Sequence, residues 1–100
     1  MASAIRIAIL FLLAISTSAQ AGDPFNGHRV YGEYCLSCHG DSGSGEMAAI
    51  PDFTRGEGLL QADFMLADTL KQGLGAMPAY QGLLTDNELA DVITYIRTLQ

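Results

Sequence analysis

The sequence has only two cysteines, and they stand three positions apart with a histidine directly behind them, as Cys35-Leu36-Ser37-Cys38-His39. On a helical turn, residues at i, i+3 and i+4 lie on one side, so both thiols and the imidazole point the same way. This is the C-x-x-C-H arrangement of covalent haem attachment, in which the two thiols bond the vinyl groups while the imidazole reaches the iron. Holding the porphyrin edge beside its own axial ligand makes ligation by His39 nearly intramolecular. A chain built around such a cofactor has its core set by a flat apolar macrocycle.

Three other uses of the cysteines compete with this one. A thioredoxin-like redox pair expects a βαβ context, which the sequence lacks. A structural zinc site needs four Cys or His ligands, and only His28 remains as a further candidate. A plain disulfide would leave the adjacent His39 without a purpose.

Length narrows the choice. At 100 residues the chain holds one domain. Met1 to Ala21 carries a lone cation, Arg6, then an apolar run from Ile7 to Ile15 and the small-residue end Ala19-Gln20-Ala21. The pattern predicts a cleaved signal peptide over 1–21, because the apolar run is shorter than the ~18 to 20 residues that span a bilayer. The expected mature domain, 22–100, is small for a self-sufficient hydrophobic core, so a bound group is expected to help hold it together. Five basic residues against eleven acidic ones give a formal charge of −6, and loss of Arg6 with the leader takes it to −7. Nucleic acid is excluded as a partner on that balance.

Periodicity predicts an all-α fold. Asp23-Pro24 reads as an N-cap followed by proline at the first helical position. Gly27, Val30, Tyr31, Tyr34, Cys35 and Cys38 then recur at helical spacing and are expected on one face of a single helix. Gly40 to Gly58 is glycine-rich and aperiodic, a long loop of the kind that wraps a ligand. A second helix is expected over Ala62 to Gln72, with Met65, Leu66, Thr69 and Leu70 inward and Gly73 ending it. Thr85-Asp86-Asn87-Glu88 has capping-box spacing, with Leu84 and Leu89 at the staple positions. The last helix starts there, with Leu89, Val92, Ile93, Ile96 and Leu99 as its apolar stripe.

A His-ligated haem needs its second axial position filled, and Met77 is the candidate. A thioether is a good ligand for haem iron, and Pro78 forces an extended backbone on Met77. Met65 is in phase with Leu66 and Thr69 and reads as core filling. Met47 lies in the loop close behind the motif, and His28 reads as a solvated helix residue.

With these residues in view, the chain from Asp23 to Gln100 resembles the class I cytochromes c, and the Met77-Pro78 pair before an aromatic and a capped terminal helix resembles the small bacterial monohaem members. The resemblance implies a cytochrome c fold, three main helices around one covalent haem c. It implies that Gly27 and Tyr31 pack across Val92 and Tyr95 of the last helix. It implies that the Pro51 carbonyl accepts from the second nitrogen of His39, fixing its tautomer. Gly75 and Ala76 offer no hydroxyl for a haem propionate, which leaves Arg55 or Tyr80 for that contact; Arg55 reads equally as an ordinary surface cation.

Two protein ligands on the iron leave no position for a small-molecule substrate, so the expectation is an electron carrier of the periplasm and not an enzyme. The alternatives are a haem subunit bound tightly to a periplasmic dehydrogenase or reductase, a ligand-binding haem sensor with a labile Met77, and a haem-free helical domain. Redox proteins are the expected partners, with a basic docking surface if Asp41, Glu46, Asp86, Glu88 and Asp91 steer association.

Overall fold

The computed structural model describes residues 22–100; the leader read from 1–21 lies outside the described residues. Among the described residues four α-helices follow in order, α1 (Pro24–Tyr34), α2 (Leu36–His39), α3 (Asp63–Gln72) and α4 (Asp86–Arg97), with one 3-10 turn at Phe53–Arg55. Among the described residues only two isolated bridges, Leu74 with Met77 and Gln81 with Leu84, have any strand character. The fold is all-α, as the periodicity requires.

Local signals set the ends of the helices. The Asp23 carboxylate accepts from the Phe25 N–H at 2.9 Å, and Pro24 takes the first helical position. At α4 both halves of the capping box form: the Thr85 hydroxyl accepts from the Glu88 N–H at 3.1 Å, and the Glu88 carboxylate accepts from the Thr85 N–H at 3.1 Å. Leu84 and Leu89 are both buried beneath it. α3 begins one residue later than expected, with Ala62 as an N-cap that makes no side-chain bond, and ends at Gly73.

The core lies where α1 crosses α4. Val30, Tyr31, Leu89 and Val92 are fully buried there. The crossing is close because Gly27 has no side chain: a Cβ at that position would run into the Asp91 carbonyl oxygen and lie 2.8 Å from the Tyr95 Cβ. Asp91 then bridges the two helices at their polar edge. One carboxylate oxygen accepts from the Asp23 N–H at 2.7 Å and the other from the Asn26 amide at 2.8 Å.

α3 is positioned differently. None of its residues is fully buried. Leu66 and Leu70 pack partly against the core, but Met65, expected inward, is exposed, and Thr69 turns its hydroxyl back to the Met65 carbonyl. Its start is held by Arg97 at the end of α4, whose guanidinium donates to the Asp63 carboxylate at 2.8 Å and to the Leu59 and Gln61 carbonyls at 2.9 and 2.7 Å.

Candidate functional site

The C-x-x-C-H segment does not continue α1. The helix stops at Tyr34, Cys35 follows as its C-cap with φ opened to −118°, and α2 restarts as a single turn. The six residues expected on one helical face are therefore split. Gly27, Val30, Tyr31 and Cys35 are buried, Tyr34 is half-buried, and Cys38 faces solvent. The break has a physical consequence, because helix ends leave carbonyls without intrahelical donors. Two tyrosines supply them. The Tyr80 hydroxyl donates to the Tyr34 carbonyl at 2.9 Å, and the Tyr31 hydroxyl donates to the Gly40 carbonyl at 2.6 Å. The motif is thus clamped at both sides by side chains from elsewhere in the fold.

Within the turn, the His39 and Gly40 N–H groups bond back to Cys35 and Leu36 at 2.9 Å, so Cys35, Cys38 and His39 do share one turn. Both cysteines are free. Burial, with the neighbouring Cys38 second, pushes the Cys35 thiol up to about 11. A redox-active C-x-x-C pair needs the opposite, a thiol stabilised as thiolate. Among the described residues no three His, Cys, Asp or Glu side chains gather to hold a metal ion, so the zinc reading has no ligand set.

The long loop acts on His39. It folds back on the motif through the Gly45 N–H to the His39 carbonyl (3.0 Å) and the Phe53 N–H to the Gly43 carbonyl (2.8 Å). The second bond delivers the Phe53 ring onto the His39 imidazole, centroids 4.9 Å apart and nearly parallel. Phe53 carries no sequence motif, and only its place in a loop expected to wrap something pointed to it. Burial lowers the His39 pKa and so favours the neutral, metal-binding imidazole. Its Nδ1 is buried with no hydrogen-bond partner, so the bond expected from the Pro51 carbonyl is not formed here.

The remaining candidates fall into two groups. Met77 is half-buried, whereas Met47 and Met65 are exposed, and Met77 and Leu74 exchange backbone hydrogen bonds at 3.0 and 3.1 Å that close a tight turn. Tyr80 is buried, with its hydroxyl committed to Tyr34. Arg55 stands apart. Arg29, Lys71 and Arg97 each pair with a carboxylate, and among the described residues Arg55 is the cation without an ion pair or side-chain hydrogen bond. Two cavities, of about 260 Å³ between α3 and α4 and about 350 Å³ beside His28 and Tyr95, are lined by none of these candidates.

This arrangement fits haem c. Two free thiols share a turn with a neutral, ring-stacked imidazole whose buried Nδ1 is uncommitted, and an unpaired guanidinium follows the stacking residue Phe53. A family model described as cytochrome c oxidase, cbb3-type, subunit III matches residues 22–96. The chain belongs to the cytochrome c family. Among curated relatives of this family, cytochrome c6 of Thermosynechococcus vestitus is 33% identical over 94% of this chain and 86% of its own length. The cbb3-type cytochrome c oxidase subunit CcoP of an Azospirillum species is 33% identical over 82% of this chain but 30% of its own length. Subunit FixP of Bradyrhizobium diazoefficiens is 36% identical over 77% of this chain and 28% of its own. No solved structure matches. As a cytochrome c the chain carries one covalently bound haem c and serves electron transfer with redox partners, not enzymatic catalysis.

Proposed function

We propose that this cytochrome c is an exported single-electron carrier in which Cys35 and Cys38 hold the haem covalently and His39 and Met77 are its axial ligands. The observation that carries the reading is the coupling of the two ligand segments: the loop bearing Met77, the least exposed methionine among the described residues, is hydrogen-bonded to Tyr34, the residue directly before Cys35. When bound, the haem supplies a one-electron iron couple, whose potential a thioether ligand raises. With His39 and Met77 both holding the iron, no coordination position would be open to a substrate. His39 enters neutral, with Phe53 restricting its ring, and its free Nδ1 needs an acceptor that the Pro51 carbonyl, in the long loop after the motif, would supply once haem is bound. Arg55, uncommitted in an acidic chain, is the propionate partner. Tyr80 would have to give up its bond to Tyr34 for that role, which favours Arg55.

The leader at 1–21 supports export to the periplasm. For partner steering, Asp86 pairs with Lys71, Glu88 with Arg29, and Asp91 holds the start of α1. That leaves Asp41 and Glu46, beside the motif and in no ion pair, as the carboxylates available to a basic partner.

Redox titration and optical spectra of the ferric holoprotein test the ligand set. Met77→Ala should abolish the sulfur-to-iron charge-transfer band and lower the potential, while Met47→Ala and Met65→Ala leave both unchanged. If either of those two abolishes the band, the ligand has been misassigned.

The matches to CcoP and FixP favour a second reading, a haem domain that works within an oxidase assembly. Native-size analysis from membranes and soluble extract separates the two readings, since a free carrier migrates as a small monomer and an assembly subunit does not.

A further inference from the structure

The segment from Gly73 to Leu84 takes its backbone hydrogen bonds mainly from α3, while its Tyr80 and Leu84 side chains reach into the core. Its Tyr80 and Gln81 N–H groups bond to the Leu70 and Lys71 carbonyls at 2.9 and 3.2 Å, and Met77 closes its turn onto Leu74. Met77-Pro78-Ala79 also lies against the bare backbone of Gly73 (φ +75°), where a Cβ would come within 2.7 Å of the Met77 carbonyl oxygen and 2.9 Å of the Ala79 nitrogen. These contacts fix the shape of the loop and its seat on α3. They leave its distance from the motif to the buried Tyr80 and Leu84 side chains, because α3 itself has no fully buried residue. Among the described residues, one hydrogen bond joins segment 73–84 to the chain from 22 to 58: the Tyr80 hydroxyl to the Tyr34 carbonyl. The same two side chains meet edge to face, with ring centroids 6.0 Å apart.

We propose that Tyr80 is a positioning residue for the distal ligand: its hydroxyl, anchored on the carbonyl directly before Cys35, holds the Met77 loop at ligating distance from the haem that the motif carries. The proposal rests on the reading of Met77 as ligand. Tyr80 does not touch the iron and needs no propionate contact. It converts an interaction internal to α3 and its loop into one registered on the attachment site. The bond spans 46 residues in sequence, so it carries register that no local contact supplies.

The mechanism separates Tyr80 from the fold's other tyrosine clamp. The Tyr31 hydroxyl makes a more deeply buried bond to the Gly40 carbonyl but has no hydrogen bond to the Met77 loop. Losing either hydroxyl removes one hydrogen bond worth about 1 kcal/mol, and only at Tyr80 does that loss fall on the equilibrium between bound and released thioether. Titration of ferric holoprotein with imidazole, which competes with the thioether, reads that equilibrium. Tyr80→Phe should bind imidazole about fivefold more tightly than wild type, while Tyr31→Phe stays within about twofold and loses only stability to denaturant. Coupling is reciprocal, so in unmutated holoprotein saturating imidazole should weaken the Tyr80 hydroxyl bond to Tyr34, seen as faster exchange of the hydroxyl proton. That measurement serves even if the variant does not mature.

Wild-type affinity in Tyr80→Phe, equal gains in both tyrosine variants, or a Tyr80 hydroxyl proton indifferent to imidazole each overturn the strut while leaving Met77 as ligand. A charge-transfer band that survives Met77→Ala removes the ligand reading, and the strut with it.

Discussion

The α1–α4 crossing and the α3–Met77 half of the molecule are built to different standards. At the crossing, helix backbones touch at Gly27 and Asp91, both helix starts are capped by side chains, and Val30, Tyr31, Leu89 and Val92 are fully buried. In the other half the helix starts at an uncapped Ala62, buries no residue fully, and leaves Phe64 76% and Met65 46% exposed. The polypeptide completes the first half by itself. The second half has apolar side chains without enough protein to cover them, and in a domain this small a haem bound against it would supply the missing surface.

Removing the haem gives the largest expected effect. Cys35→Ala combined with Cys38→Ala should leave the chain mostly unfolded, with residual hydrogen-exchange protection confined to α1 and α4. Protection in α3 as strong as in α4 would break the comparison. Next comes Gly27→Ala, where the added methyl meets the α4 backbone, which cannot move as a flexible side chain could; about 3 kcal/mol of holoprotein stability should be lost in denaturant melts. Gly32→Ala, on the same helix with nothing within 4 Å of the new Cβ, should instead gain roughly 0.5 to 1 kcal/mol. If both glycine variants destabilise alike, the crossing is not as close as described.

Asp91→Ala releases the Asp23 and Asn26 donors and should cost about 1 to 2 kcal/mol, split between the two bonds. The smallest effect is that of pH. The Thr85 N–H, aided by the Thr85 hydroxyl and Arg29, holds the Glu88 carboxyl below its ordinary range. A group depressed on folding gives stability that is present above its unfolded pKa and is lost as pH falls through the folded one. Glu88→Gln should therefore lower stability slightly at neutral pH, converge with wild type in acid, and so flatten the acid limb of the stability curve.

What the sequence made legible was local. Asp23-Pro24, the Thr85–Glu88 box with its leucine staple, and the motif cysteines all act within one or two helical turns, so spacing alone identified them. The break at Cys35 was hidden because the apolar repeat runs on past the point where the hydrogen-bond ladder stops. Met65 sits in phase with Leu66, and its exposure follows from how little protein covers α3, which periodicity does not encode. Asp91, Glu88 and Asp86 look like a solvent-facing acidic cluster in one dimension; in three, Asn26, Arg29 and Lys71 arrive from other helices and occupy them. Tyr80 and Phe53 gained their roles from contacts across the fold, so nothing adjacent to them in sequence announced those roles.

The central claim is that Cys35 and Cys38 carry the haem covalently and that the second half of the fold closes on it. Intact-mass measurement of the protein matured in cells able to attach haem c, repeated after acid-acetone extraction, tests it most directly. The account predicts the mass of one haem retained through extraction in the wild type and absent from the Cys35→Ala, Cys38→Ala variant. A wild-type mass equal to the bare polypeptide, with two free thiols or a disulfide, would contradict it.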